Sequence, residues 1–261
     1  MILYNREGWE KIKDNSYLFQ EDIGFANTLY KKHLFFSEEN IVNIVKSKFN
    51  ETEDGVFIDV GANVGTYTIT LGKVFSHTVA FEPLLNTYNI MCGNVAIHGL
   101  SDKTTLINCA LLDSDKEVFM HGYDILGSLT HITEQNTDII NDNLKTSIGY
   151  EYSKKIYTKT LDSFNIKNVK LIKIDVEGNE LSVLKGAEKT LKQSNYPMLI
   201  LESWTIGKDD NDELKQYKEN LRKELFDYVK NIGYIIEETE NDEVFICEYR
   251  KQKHKTKTIF Y

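Results

Sequence analysis

From residue 55 onward, short and nearly continuous apolar runs alternate with stretches of helical periodicity, and no other feature constrains the fold as strongly. The strand-like runs are Val56–Val60, Thr78–Phe81, Thr104–Asn108, Val169–Val176, Met198–Glu202, Tyr234–Glu237 and Val244–Glu248. The middle runs lack polar alternation, as expected of strands covered on both faces of a parallel sheet. Between them, apolar residues recur at helical spacing: Val64, Thr68, Leu71 and Phe75; Leu85, Tyr88, Cys92 and Val95; Leu181, Leu184, Ala187 and Leu191. The longest stripe is Leu214, Tyr217, Leu221, Leu225, Tyr228 and Ile232. Such alternation predicts an α/β fold with a mostly parallel sheet and helices on both faces. The last two runs are separated only by a turn containing Asn241-Asp242 and should close an antiparallel C-terminal hairpin.

Two segments stand outside this rhythm. Residues 1–54 precede the first strand and carry a helical pattern near Glu38–Phe49, which suggests a helical extension packed on the core. Residues 113–168 are too long for a simple crossover and read as a substrate-side insert of helix plus irregular structure. The core domain is expected over 55–250, and residues 251–261 form a basic tail.

Charge and cysteine content narrow the function. With 31 Lys plus Arg against 40 Asp plus Glu, the net charge is −9, which opposes nucleic-acid binding because duplex affinity rests on neutralising phosphates. Three scattered cysteines make neither a disulfide framework nor a zinc knuckle. No run approaches the length of a membrane span, and the opening residues show no secretory pattern, so a soluble cytoplasmic protein is expected.

In an open parallel sheet, ligands bind beyond the carboxyl ends of the strands, where strand order reverses. There the first strand runs into Asp59-Val60-Gly61-Ala62-Asn63-Val64-Gly65, whose glycines permit a sharp turn and close approach of a ligand. Glu82 ends the second strand, twenty-three residues after Asp59, at the distance where an acid accepts ribose hydroxyls. A dinucleotide fingerprint would want glycine where Asn63 and Thr66 stand, and no Lys-[Ser/Thr] of a phosphate loop follows. The loop and acid suit a nucleoside without phosphates, of which S-adenosylmethionine is one.

The blocks VFIDVGANVGTYT, VAFEP, INCALLDSD, TLDSF, LIKIDVEGNELSVLKGAEKTL and PMLILE occur in order over about residues 40–202. Together they resemble the FkbM family of S-adenosylmethionine-dependent methyltransferases. The resemblance implies a Rossmann-like class I methyltransferase with a seven-stranded, mostly parallel sheet. It also implies O-methylation of a hydroxyl on a sugar, glycan or related natural product. By the same carry-over, Asp59, Gly61, Ala62, Asn63 and Gly65 line the methionine end of the cofactor, and Glu82, followed by Pro83, takes the ribose. Asn108, Cys109 and Ala110 lie against the adenine.

The catalytic reading comes from carboxylates at the fourth and fifth strands. Period-2 alternation puts Lys173, Asp175 and Glu177 on one face if the chain stays extended, with Glu202 beside them. A carboxylate near a like charge can act as general base toward an alcohol. His131 in the insert, with Ser128 and His121 nearby in sequence, is an alternative base. Asp175, Glu177 and Glu202 are equally the hard oxygen donors a divalent cation accepts. Opposed to these readings, Lys173 would neutralise Asp175 and Glu177 would cap the helix that follows. Trp204 offers either a sugar-stacking surface or core closure. An RNA methyltransferase and a non-catalytic S-adenosylmethionine-binding scaffold are the alternatives to a glycan or small-molecule O-methyltransferase.

Overall fold

A computed structural model describes residues 9–11, 17–19, 39–50, 53–122, 131–133, 152–204, 206–208, 210–239 and 242–250. All seven expected strands form one sheet: β3 (Glu53–Val60), β4 (Phe75–Phe81), β5 (Thr104–Ile107), β10 (Val169–Ile174), β11 (Met198–Glu202), β12 (Tyr234–Glu238) and β13 (Val244–Tyr249). Their spatial order is β12-β13-β11-β10-β3-β4-β5. β3 pairs in parallel with both β4 and β10, so strand order reverses at β3, the Asp59 strand. β13 runs antiparallel to β11 and β12, which completes the expected C-terminal hairpin. Asn241 of its turn lies outside the described residues.

Each central strand sends alternate side chains into opposite layers. Phe57, Leu171, Ile200 and Ile246 pack with Ile41 and Val45 of α1 (Glu39–Lys48) and with Tyr67 and Leu71 of α2 (Thr66–Leu71). Ile58, Ile172, Leu199, Leu201 and Cys247 face Val183 and Leu184 of α4 (Glu180–Lys185), Leu191 of α5 (Glu188–Gln193), and Leu225 and Val229 of α6 (Asp212–Asn231). Burial on both faces explains the lack of polar alternation in these strands. Between β4 and β5, α3 (Leu85–Ile97) packs Met91 and Val95 against Ala80. At the start of α6, the Asn211 side chain accepts from Leu214 N, and Asp212 and Glu213 sit in the positive first turn.

Four expectations change. The stripe Leu181–Leu191 is not one helix, because Gly186 separates α4 from α5: a Cβ there would stand 2.1 Å from Leu112 O. Phe75 begins β4 rather than extending α2. The described part of the 113–168 insert is mainly strand, with one short 3-10 turn at Leu161–Phe164 and no α-helix. β6 (Ala110–Leu111), β7 (Glu117–Gly122), β8 (His131–Thr133) and β9 (Tyr152–Lys159) form a second sheet ordered β6-β9-β7-β8. Val118 and Met120 are buried while Glu117 and Tyr157, paired in register, are exposed, a period-2 signal that the polar composition obscured. In the N-terminal segment, β1 (Trp9–Lys11) and β2 (Tyr17–Phe19) pair antiparallel, where only a helix was expected.

Candidate active site

The turn after β3 is built by backbone geometry. Gly61, Asn63 and Gly65 take φ of 76°, 52° and 91°. Gly61 N and Ala62 N both donate to Phe81 O, at 3.0 and 2.9 Å, and Gly65 N closes the turn onto Ala62 O at 2.8 Å. Buried Asn94 of α3 donates to Val64 O at 2.8 Å and pins the exit, a contact no motif announced. The room at the two glycines is not left for a ligand. A Cβ on Gly61 would lie 1.8 Å from Asp175 O, and one on Gly65 would lie 3.0 Å from Met91 Cγ. Gly61 is therefore required for the β3 and β10 ends to touch.

Beneath the turn, Asp59 is fully buried. Thr68 Oγ1 donates to its Oδ2 at 2.6 Å, while its Oδ1 has no partner. Burial pushes the Asp59 carboxyl above its ordinary value, against the opposing charge of Lys173. Glu82 bridges two segments: Oε2 accepts from Asn63 N at 3.0 Å and Oε1 from Leu84 N at 2.7 Å. Desolvation raises it to about 7. Asn108 Nδ2 donates to Glu82 O at 2.8 Å and Pro83 O at 2.9 Å, so the segments after β4 and β5 are tied together. Cys109 Sγ donates to Ala110 O at 3.2 Å, and burial pushes its thiol up.

The third group gathers at the ends of β10 and β11. β10 stops at Ile174, and the chain then turns, with Glu177 at φ 54° and Gly178 at 93°. Lys173, Asp175 and Glu177 therefore do not share an extended face; the turn and Lys173 bring the acids together. Lys173 Nζ meets Asp175 Oδ2 at 2.7 Å and Gly61 O at 3.4 Å, and lies 4.9 Å from the Tyr67 ring centroid. Across the parallel register Lys173 stands opposite Asp59. The Asp175 carboxylate, then burial, then Glu177 push Glu202 up to about 10, and Glu202 shares a hydrogen bond with Asp175. Burial and Asp175 raise Glu177 to about 8, although the Trp204 indole donates to it. Trp204 is thereby oriented from its Nε1 side, and Lys218 Nζ sits 5.9 Å from its ring.

Glu177 does not cap α4, whose N-cap Asn179 makes no side-chain capping bond; the turn before the helix is held instead by Glu180. Glu180, not Glu177, accepts from Val176 N at 3.2 Å and Gly178 N at 3.0 Å at the start of α4. It is buried and raised by desolvation to about 7. Arg222 of α6 was also unannounced: Nη2 donates to Ser203 O, Trp204 O and Asp242 O, at 2.9, 2.8 and 3.2 Å, holding the segment that carries Trp204. Both are ordinary helix charges in sequence, with nothing to mark them. In the insert, His131 pairs in register with buried His121. Asn179 Nδ2 donates to Ile132 O at 3.2 Å, which brings β8 to the start of α4. Ser128 lies outside the described residues.

The carboxylates do not fit a divalent cation. Among the described residues no group of three His, Cys, Asp or Glu side chains is disposed to hold a metal ion. Lys173 occupies Asp175, the indole donates to Glu177, and Glu202 retains its proton. A nucleoside cofactor fits better: the turn, Glu82 and the Asn108 segment converge at one sheet edge, above a buried acid with an unpartnered oxygen. Among the described residues no helix is long and apolar enough to cross a membrane.

Comparison with known proteins finds a family match and several relatives. The profile of the methyltransferase FkbM domain matches residues 59–236. Methyltransferase 1 of Beauveria bassiana is 27% identical over 149 residues, 52% of this chain and 59% of that protein. Hexuronic acid methyltransferase AglP of Haloferax volcanii is 25% identical over 209 residues, 78% of each chain. The crystal structure of methyltransferase FkbM from Methylobacillus flagellatus KT is 17% identical over 78% of this chain and 46% of that one, with a TM-score of 0.45. The chain thus spans about half to three-fifths of the first and third of these proteins.

Proposed function

The chain belongs to the methyltransferase FkbM domain family, and from that premise we propose that it is an S-adenosylmethionine-dependent O-methyltransferase acting on a hydroxyl of a sugar, a glycan or a related natural product. The observation that carries the reading is the contact between two groups at the sheet edge. The Asp59–Gly65 turn lies directly against Asp175, whose neighbours are Lys173 and Glu202. The Haloferax relative, named for a hexuronic acid, makes acidic sugars the first acceptors to try.

When bound, S-adenosylmethionine supplies an electrophilic methyl on a sulfonium sulfur. Asp59, Gly61, Ala62, Asn63 and Gly65 hold its methionine end, Glu82 with Pro83 the ribose, and Asn108, Cys109 and Ala110 the adenine. In the free protein Glu202 holds its own proton at neutral pH, and Glu177 is mostly protonated there. Asp175 takes the acceptor hydroxyl proton in this reading, which its partial exposure, 26% of the side chain, and the Lys173 contact to one of its oxygens support. General-base assistance of this kind contributes about 10²–10⁴-fold. Aligning the acceptor oxygen with the methyl supplies up to roughly 7–11 kcal/mol more.

The test is mass spectrometry of uronic-acid glycans, neutral glycans and hydroxylated natural products incubated with protein and S-adenosylmethionine. A methyl increment on a hydroxyl is expected; its absence across all three panels, with the cofactor bound, sinks the acceptor assignment. Glu82→Ala should weaken cofactor binding severely, and Asp175→Ala should lower turnover more than cofactor affinity. If both variants behave as wild type, the site is elsewhere.

A further inference from the structure

Buried acid is in excess at this sheet edge. Asp59 from β3, Glu82 from the end of β4 and Glu180 from α4 are buried, and beside them Asp175 and Glu177 from the turn after β10 and Glu202 from β11 are half-buried. Glu243, from the turn before β13, adds its charge against Glu177. Among the described residues the opposing charge is the Lys173 ammonium, with Tyr67 of α2 over it; the Trp204 indole, the Thr68 hydroxyl and backbone N–H groups at Glu82 and Glu180 add only neutral donors. The shortage of counter-charge has a second mark, independent of the titrating pair. Asp59 Oδ1, inside the same cluster and on the residue opposite Lys173, is buried with no hydrogen-bond partner among the described residues. Water screens these groups only weakly, so acids in such a cluster resist ionising together and an added positive charge favours their ionised forms.

We propose that the Asp175–Glu202 pair reads the charge of the bound cofactor: it holds a proton in the free protein and releases it to solvent when a sulfonium-bearing ligand binds against the Gly61 turn. The bond broken is the carboxyl O–H of the pair, its proton goes to the buffer, and nothing is oxidised or reduced. S-adenosylhomocysteine, the thioether left after methyl transfer, lacks the sulfonium charge and leaves the proton in place. The pair therefore favours the charged cofactor over its spent form, increasingly so as pH rises. Geometry supports the coupling, because Asp175 O abuts Gly61 and Lys173 bonds both Asp175 and Gly61 O. The inference rests on S-adenosylmethionine being the cofactor, but on no particular acceptor.

Titration calorimetry of the full chain, in phosphate and in Tris buffer between pH 6 and 8, tests it without turnover. S-adenosylmethionine should release between about half a proton and one proton per site, and S-adenosylhomocysteine close to none. The affinity ratio of the two ligands should climb by up to about tenfold per pH unit. Glu202→Gln keeps shape and hydrogen bonding while removing the proton, and should flatten both effects. Buffer-independent binding enthalpies, a pH-independent ratio, or release that persists in Glu202→Gln would each overturn the proposal while leaving the family's cofactor in place. Failure of wild-type protein to bind either ligand would instead overturn the cofactor assignment, and this inference with it.

Discussion

Replacing Gly61 with alanine tests whether the site is assembled by close contact between two strand ends. At φ 76° an alanine suffers left-handed strain of roughly 1–2 kcal/mol. Its Cβ would stand 1.8 Å from Asp175 O, where ordinary contact is 3.4–4 Å, so the β3 and β10 turns must separate. Separation weakens two bonds, Asp175 N to Val60 O at 3.1 Å and Lys173 Nζ to Gly61 O at 3.4 Å, each contributing about 1 kcal/mol. The expected loss is about 3–4 kcal/mol, read as a lower urea midpoint with unchanged slope. Gly93→Ala supplies the control of opposite sign. Gly93 lies inside α3 with nothing within 4 Å of an added Cβ, so alanine should stabilise by up to about 1 kcal/mol. If Gly61→Ala unfolds within about 1 kcal/mol of wild type, the strand ends are not held by this contact and the reasoning fails.

Further outcomes follow from the same contacts. Glu202 is raised from 4.5 to about 10 in the fold, so its contribution to stability is full below pH 4.5 and is lost as pH rises toward 10. Glu202→Gln escapes that loss: it should match wild type near pH 4.5 and exceed it by about 3 kcal/mol at pH 7, and a difference constant between pH 5 and 8 refutes the shift. Thr68→Val removes the donor at 2.6 Å from Asp59 and strands a buried carboxyl, so a loss of roughly 2–3 kcal/mol is expected in thermal melts; wild-type melting would contradict it. Arg222→Ala should cost about 2 kcal/mol and alter the near-ultraviolet signal of Trp204. Arg222→Lys should not restore that signal, because an ammonium lacks the Nε donor that reaches Ser203 Oγ and the planar guanidinium that lies over the Phe245 ring.

Legibility of the site varied with the range of the interactions involved. Asp59, Glu82 and Asn108 could be placed because each closes a strand, and strand ends in a parallel sheet lie together. Asp175, Glu177 and Glu202 were grouped for the same reason, but their states were not readable. The proton on Glu202 and the indole bond to Glu177 depend on partners in other segments. That Glu180 rather than Glu177 holds the turn before α4 goes with a positive φ at Glu177, a non-glycine residue, which local spacing does not announce.

By itself the sequence determined the seven-strand order of elements, the doubly covered sheet and the edge at which the turn and acids meet. Hydrophobic periodicity and strand ends are local, and chain connectivity permits few ways to join them. Only the tertiary structure decided why Gly61 must be glycine, since the obstructing carbonyl belongs to Asp175, far along the chain. It alone shows Arg222 holding the Trp204 segment, the insert as a second sheet, and the acid cluster with the Lys173 ammonium among its charges. Charge and protonation follow from burial and neighbours, and both come from segments that meet only when the chain is folded.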